Sequence, residues 1–117
     1  MASTHDYDND SRNKDIQIFI NGKFYLRSEA KISVMDSGYL LGDGVWEGIR
    51  FHKGHLVHLQ SHLDRLYEGA KAIEMTIGVS KDEMIVALKK TLEKNKMISD
   101  VHIRLIVSRG IKSTPYQ

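Results

Sequence analysis

Cysteine is absent from the chain, which excludes a disulfide framework, a thiolate zinc site and a cysteine nucleophile. The absence is compatible with a reducing cytoplasm. No apolar run approaches the roughly 18 residues needed to span a bilayer. Met1 to Lys14 holds no apolar h-region, so it does not read as a secretory signal. A surplus of one charge sign is lacking as well. Seventeen Lys and Arg against 15 Asp and Glu leave a formal +2, too little to argue for nucleic acid or an anionic membrane as partner. Internal repeats and low-complexity tracts are missing. What remains is a balanced composition, 41% hydrophobic and 27% charged over 117 residues, the profile of one soluble globular domain.

Residues 1–14 (MASTHDYDNDSRNK) are almost entirely polar. They lack the apolar surface that offsets the entropy of ordering a backbone, so they read as a disordered tail. From Asp15, Ile16, Ile18 and Ile20 alternate with Gln17 and Phe19, the period of a strand. Asn21-Gly22 follows, a pair that tolerates positive φ at both positions of a type I′ turn, so Lys23 to Leu26 should return antiparallel. Gly38, Gly42 and Gly44 fall within seven residues and suggest turns or a close backbone approach around Tyr39-Leu40-Leu41. A second strand begins at Val45, with Trp46 and Arg50 on one face, and His55 to Leu59 runs back. Ser61 reads as the cap of a helix whose apolar face is Leu63, Leu66, Tyr67, Ala70 and Ile73. Ser80 and Glu83 form a capping box for a second helix reaching about Asn95. Val101 to Ser108 alternates again and puts His102 and Arg104 on a common face. The sum is α+β: an antiparallel sheet with two helices packed on one side. The domain spans 15–110, and residues 111–117 open a loop.

Several arrangements that would name a chemistry are missing. No Ser-His-Asp order and no paired carboxylates stand out. Gly42-Asp43-Gly44 does not precede a helix and is a poor phosphate loop. His52, His55, His58 and His62 cluster within eleven residues, yet His55 and His58 are three apart on a predicted strand and point to opposite faces. No metal site is expected. Arg65, near a helix start, has two readings: a phosphate ligand favoured by the positive helix end, or a surface arginine paired with Asp64 or Glu68. His102 and Arg104 could receive a carboxylate, and Trp46 with Arg50 could form an aromatic wall beside a cation.

The stretch VMDSGYLLGDGVWEGIRFHKGHLVHLQSHLDRLYEGAKAIEM, Val34 to Met75, resembles the opening domain of fold-type IV pyridoxal-phosphate enzymes. These are the class IV aminotransferases: branched-chain and D-amino-acid aminotransferases, with the related aminodeoxychorismate lyases. The likeness rests on Gly42 to Arg50, on His62-Leu63-Asp64-Arg65-Leu66, on Val101 to Arg104 and on Ser108-Arg109-Gly110. It covers nearly everything from Ile16 onward, in the same element order. The resemblance implies the small N-terminal domain of an enzyme that exchanges an amino group between an amino acid or amine and a 2-oxo acid. It implies pyridoxal 5'-phosphate as cofactor, Arg65 on its phosphate, Trp46 and Leu41 shaping the substrate pocket, and Arg104 with His102 receiving substrate.

Departures from the pattern bear on substrate. The arginine and histidine with which D-amino-acid aminotransferases hold the α-carboxylate align here with Thr114 and Tyr116. Branched-chain enzymes carry a tyrosine where this chain has Leu41, and usually another where it has His102. The Glu-Gly-Ile-Arg and Ile-Arg matches tilt toward the branched-chain side. The family's cofactor-bearing lysine belongs to a C-terminal domain, and none of the eleven lysines here substitutes for it. Lys89, Lys90, Lys94 and Lys96 read as a solvated helix face. The resemblance therefore implies a cytoplasmic homodimer whose catalytic domain is not in this chain, and no activity from this chain alone. The alternatives are a non-catalytic domain that binds an anion or a protein partner, or a lyase on the same fold.

Overall fold

A computed structural model describes residues 10–112. Its elements run β1 (Gln17–Ile20), β2 (Lys23–Leu26), α1 (Ser37–Leu41), β3 (Gly44–His52), β4 (His55–Leu56), α2 (Leu59–Ala72), α3 (Lys81–Lys94) and β5 (Val101–Ser108). The strands form two antiparallel sheets rather than one. The β1–β2 hairpin stands apart, and the second sheet has the order β4-β3-β5. The hairpin turn is as the dipeptide dictates, with Asn21 at φ 50° and Gly22 at φ 88°.

In the three-stranded sheet, Val45, Glu47 and Ile49 alternate with Trp46, Gly48 and Arg50. β5 lies in register, with Trp46 opposite Ile106, Gly48 opposite Arg104 and Arg50 opposite His102. One face is covered by α2 and α3. There Ile49, Leu63, Leu66, Met84 and Leu88 form the buried core, with Val45, Ile103, Leu105 and Val107 packed against it. The other face, carrying Trp46, Gly48, Arg50, His102, Arg104 and Ile106, bears no helix among the described residues, and Trp46 is 60% exposed. The expected α+β arrangement of helices on one side holds for this sheet.

Two local expectations give way. The stretch 36–42 is a regular element: Asp36 caps α1 by accepting from the Gly38 amide at 2.8 Å, and Gly42 ends it in the left-handed region. The close backbone approach expected there is real. A Cβ on Gly44 would stand 2.5 Å from the Val107 carbonyl oxygen, and one on Gly38 2.9 Å from Ser108 Cβ. Helix α2 begins at Leu59, not Ser61, and its N-cap His58 sits at φ 53° with no side-chain cap bond. β4 is correspondingly short. Of the polar N-terminal stretch expected to be a disordered tail, residues 10–14 are described and carry local structure. Asp10 caps a single 3-10 turn at Ser11–Asn13, and Arg12 donates to the Ser99 and Asp100 carbonyls at 2.7 and 2.8 Å.

The capping box of α3 forms as read, with Ser80 Oγ accepting from the Glu83 amide and Glu83 accepting from the Ser80 amide. Asn95 at the far end of α3 joins the hairpin to the body. Its Oδ1 accepts from the Gln17 amide at 2.7 Å, and its Nδ2 donates to the Gln17 carbonyl at 3.0 Å. No helix among the described residues is long and apolar enough to cross a membrane.

Candidate functional site

Two groups of polar side chains lie on the two faces of the β4-β3-β5 sheet. On the helix side, Glu47 is only 5% exposed. A carboxylate so placed must be fully partnered, and α2 supplies the donors. Arg65 Nε gives 2.8 Å to Oε2, Arg65 Nη2 gives 2.6 Å to Oε1, and His62 Nδ1 lies 2.7 Å from Oε1. Residues 62 and 65 share a helix face because they are three apart. The Arg65 fork and the His62 contact hold the Glu47 carboxyl below its ordinary value of 4.5, against the opposing effect of burial. The same pairing raises Arg65 further above its ordinary value. The Arg65 side chain is nevertheless 73% exposed. Its Nη1 makes no hydrogen bond within the described chain, so the guanidinium is clasped along one edge and presents the other to solvent.

The partner of Arg65 is thus neither Asp64 nor Glu68. Asp64 is taken by Lys81 at 2.8 Å and Gln60 at 2.7 Å. Glu47 lies 18 residues away on a strand, and nothing in helical spacing points to it. The run Glu47-Gly48-Ile49-Arg50 carried the only signal: a charged residue at an inward strand position, where an apolar one is the rule.

On the helix-free face, the Arg104 guanidinium lies 5.0 Å from the centre of the Trp46 ring, close enough for a cation–π contact. The cation beside the tryptophan is therefore Arg104, not Arg50. Arg50 turns toward Asp100, 3.6 Å away, which His52 also contacts at 2.8 Å. His102 fills the space left by the missing side chain of Gly48, where a Cβ would stand 2.8 Å from the imidazole Cε1. Leu41 ends α1, which meets β5 at Ser108, and is half exposed. The structure so brings Trp46, His102 and Arg104 together, leaves Leu41 at the sheet end, and sets Arg65 on the opposite side. Thr114 and Tyr116 lie outside the described residues. Among the described residues no three His, Asp or Glu side chains converge as metal ligands. An open groove of about 650 Å³ beside Tyr67, Glu74 and Ile77 contains none of these residues.

A third feature, Arg109, was legible only as part of a motif. Its Nε donates to Asp43 at 2.7 Å, and its Nη2 and Nη1 donate to the Ile73 and Glu74 carbonyls at 2.6 and 3.2 Å. It closes the end of α2 against the loop that precedes β3. The start of α1 is also tied to the exit of β5, through Ser108 Oγ on Asp36 at 2.9 Å and the Ser37 amide on the Gly110 carbonyl at 2.8 Å.

Comparison with known proteins decides the family. The profile of the amino-transferase class IV family matches residues 44–116, which contain every one of these polar side chains except Asp36, Ser37 and Asp43. The chain belongs to the class IV aminotransferases. It is 46% identical over 96 residues to a putative branched-chain-amino-acid aminotransferase of Methanocaldococcus jannaschii, covering 82% of this chain and 33% of that one. It is 35% identical over 95 residues to a D-alanine aminotransferase of Staphylococcus haemolyticus, again covering 33% of the relative. Among solved structures, the branched-chain amino acid aminotransferase of Escherichia coli superposes with a TM-score of 0.75 and 29% identity, over 83% of this chain and 34% of that one. A T.th. branched-chain amino acid aminotransferase complexed with N-(5'-phosphopyridoxyl)-L-glutamate gives a TM-score of 0.76 and 31% identity, over 86% of this chain and 35% of that one. The chain spans about a third of the length of these class IV aminotransferases, and its fold is that of their N-terminal part.

Proposed function

We propose that this chain is the N-terminal part of a pyridoxal-phosphate-dependent aminotransferase, with the cofactor-bearing lysine on a further C-terminal part. The residues present fit the phosphate of such a cofactor. Arg65 offers a free guanidinium edge, held in place by a buried carboxylate, and an arginine fork suits a phosphate. Bound there, pyridoxal 5'-phosphate would supply the electron sink that amino-group transfer requires. The chain alone, without the lysine, is inactive in this reading.

The observation that carries the proposal is the stacking of Arg104 on Trp46, with His102 alongside, on a sheet face that no helix covers. Arg104 would receive the carboxylate shared by an amino acid and its 2-oxo acid. Trp46 limits where its guanidinium can go and, with Leu41, walls the pocket. Tyr39, Leu41, Trp46, Ile106 and Ile111 are all exposed, more apolar surface than a finished enzyme leaves in water. The remainder of the enzyme and a second subunit would cover it, giving a homodimer in the cytoplasm. The Glu47 to Arg50 run favours branched-chain substrates over D-amino acids.

The test is an acceptor and donor screen on the complete enzyme, comparing pyruvate with 2-oxoglutarate and L- with D-amino donors. Arg104→Met should raise KM for the carboxylate substrates by about tenfold or more, the cost of a lost charged hydrogen bond. No amino transfer with any pair would refute the activity. An unchanged KM in the variant would remove Arg104 from substrate binding.

A further inference from the structure

We propose that Glu47 is a positioning residue for phosphate recognition, fixing the Arg65 guanidinium in the orientation that meets the phosphate, with His62 holding the carboxylate in turn. The inference rests on the reading above that Arg65 is a phosphate ligand, and deepens it. A free arginine side chain has four rotatable bonds and loses that freedom when it binds. One already clasped does not, and so binds more tightly. Here the clasp uses Nε and Nη2, the edge that fixes the plane of the guanidinium as well as its place. Nη1 remains for the ligand.

The carboxylate is itself held on several sides. It is almost wholly buried on β3, with Oε1 shared between Arg65 and His62. A lysine at position 65 would meet the carboxylate as a point charge and could not be oriented this way. Asp64, next in sequence to Arg65, is engaged by Lys81 and Gln60 and does not compete for the guanidinium.

Two effects of Glu47 on an anionic ligand have opposite signs, which makes the proposal decidable. As a negative charge it opposes phosphate, and as a clasp it favours phosphate. The negative charge is spent on a two-bond contact with Arg65, so the clasp should win. Removing Glu47 should therefore weaken phosphate binding.

The experiment titrates the complete enzyme, stripped of cofactor, with pyridoxal 5'-phosphate and separately with pyridoxal, which lacks the phosphate, following protein fluorescence. Glu47→Gln should weaken pyridoxal 5'-phosphate binding roughly three- to tenfold, the size of one side chain's ordering cost, and leave pyridoxal binding unchanged. Unchanged or tighter binding of the phosphorylated ligand overturns the proposal. So does an equal loss for both ligands, which would mark Glu47 as a support of the fold only. Arg65→Ala separates the two layers. If it leaves the preference for the phosphorylated ligand intact, the phosphate role of Arg65 falls, and the positioning role with it. If it abolishes the preference while Glu47→Gln does not, only the positioning role falls. Should Glu47→Gln fail to fold, Glu47→Asp keeps the charge but retracts it by one methylene. It should reduce the preference in the same direction, and an unchanged preference there is equally decisive against the proposal.

Discussion

Ser37 is fully buried at the first turn of α1, and its hydroxyl has no hydrogen-bond partner among the described residues. Its backbone is well used, since the amide donates to the Gly110 carbonyl and the carbonyl accepts from the Asp43 amide. The side-chain oxygen is thus a cost without a return, and Ser37→Ala should stabilise the fold by about 1 kcal/mol. Urea unfolding midpoints measure this, and a lowered midpoint would mean the hydroxyl has a partner after all. Glu47 makes the contrasting case of a buried polar group with every acceptor engaged. Because Arg65 and His62 hold its carboxyl below the ordinary value of 4.5, the folded state binds fewer protons at this site than the unfolded state does. Its contribution is therefore complete above about pH 5 and is lost as the pH falls through the folded-state value. Glu47→Gln should flatten the fall in stability as the pH drops below about 5, seen in urea midpoints across the acid range. A slope identical to the parent's would show that the other depressed carboxyls, Asp43, Asp64 and Asp100 among them, carry the whole effect. At this scale the sequence showed which residues had chemistry but not whom they met. Arg65 and Trp46 both stood out, and both were given the wrong neighbour, because partners 18 and 58 positions away leave no trace in local spacing.

Two glycines on β3 look alike in sequence and differ in what surrounds them. At Gly44 the neighbour is backbone: an added Cβ would stand 2.5 Å from the Val107 carbonyl oxygen and 3.0 Å from Ser108 Cα. At Gly48 it is the imidazole of His102, the movable end of a side chain. Gly44→Ala should therefore cost about 1–3 kcal/mol as the two strands are forced apart. Gly48→Ala should cost much less while displacing His102. Thermal unfolding distinguishes them, and equal losses would contradict the difference in surroundings. Elements whose signals are local were readable: the Asn21-Gly22 turn, the Ser80 and Glu83 capping box, and the alternation along β3 and β5. The element misplaced at its start, α2, and the one not expected at all, α1, lacked such signals. α2 starts on a histidine in the left-handed region, where a serine three residues later offered a better cap. α1 is five residues long, and its glycines masked the Asp36 cap.

As a molecule the chain is a three-stranded sheet with two helices on one face, to which a two-stranded hairpin is attached at few points. Hairpins standing alone are marginal in water. This one depends on Asn95, and on contacts between β1 and α3, with a Lys94 ammonium 5.8 Å from the Phe24 ring. Asn95→Ala should speed amide hydrogen exchange across residues 17–26 without changing the slowest amides of β3 and β5. Uniform acceleration everywhere would show that the hairpin unfolds only with the core. The α+β arrangement was legible in the alternating segments, but their division into two sheets was not, because which strands pair is a property of tertiary packing and alternation tells a strand only which side is wet. The bonds that join the β5 exit to the α1 loop act differently from those of the hairpin. Asp36 with Ser108, Ser37 with Gly110 and Asp43 with Arg109 are three crossties between one pair of segments. Helix α1, which ends in Leu41, is therefore tied near both of its ends to residues 108–110. If Leu41 walls the substrate pocket as proposed, a ligand pressing on it loads the same crossties that hold residues 108–110.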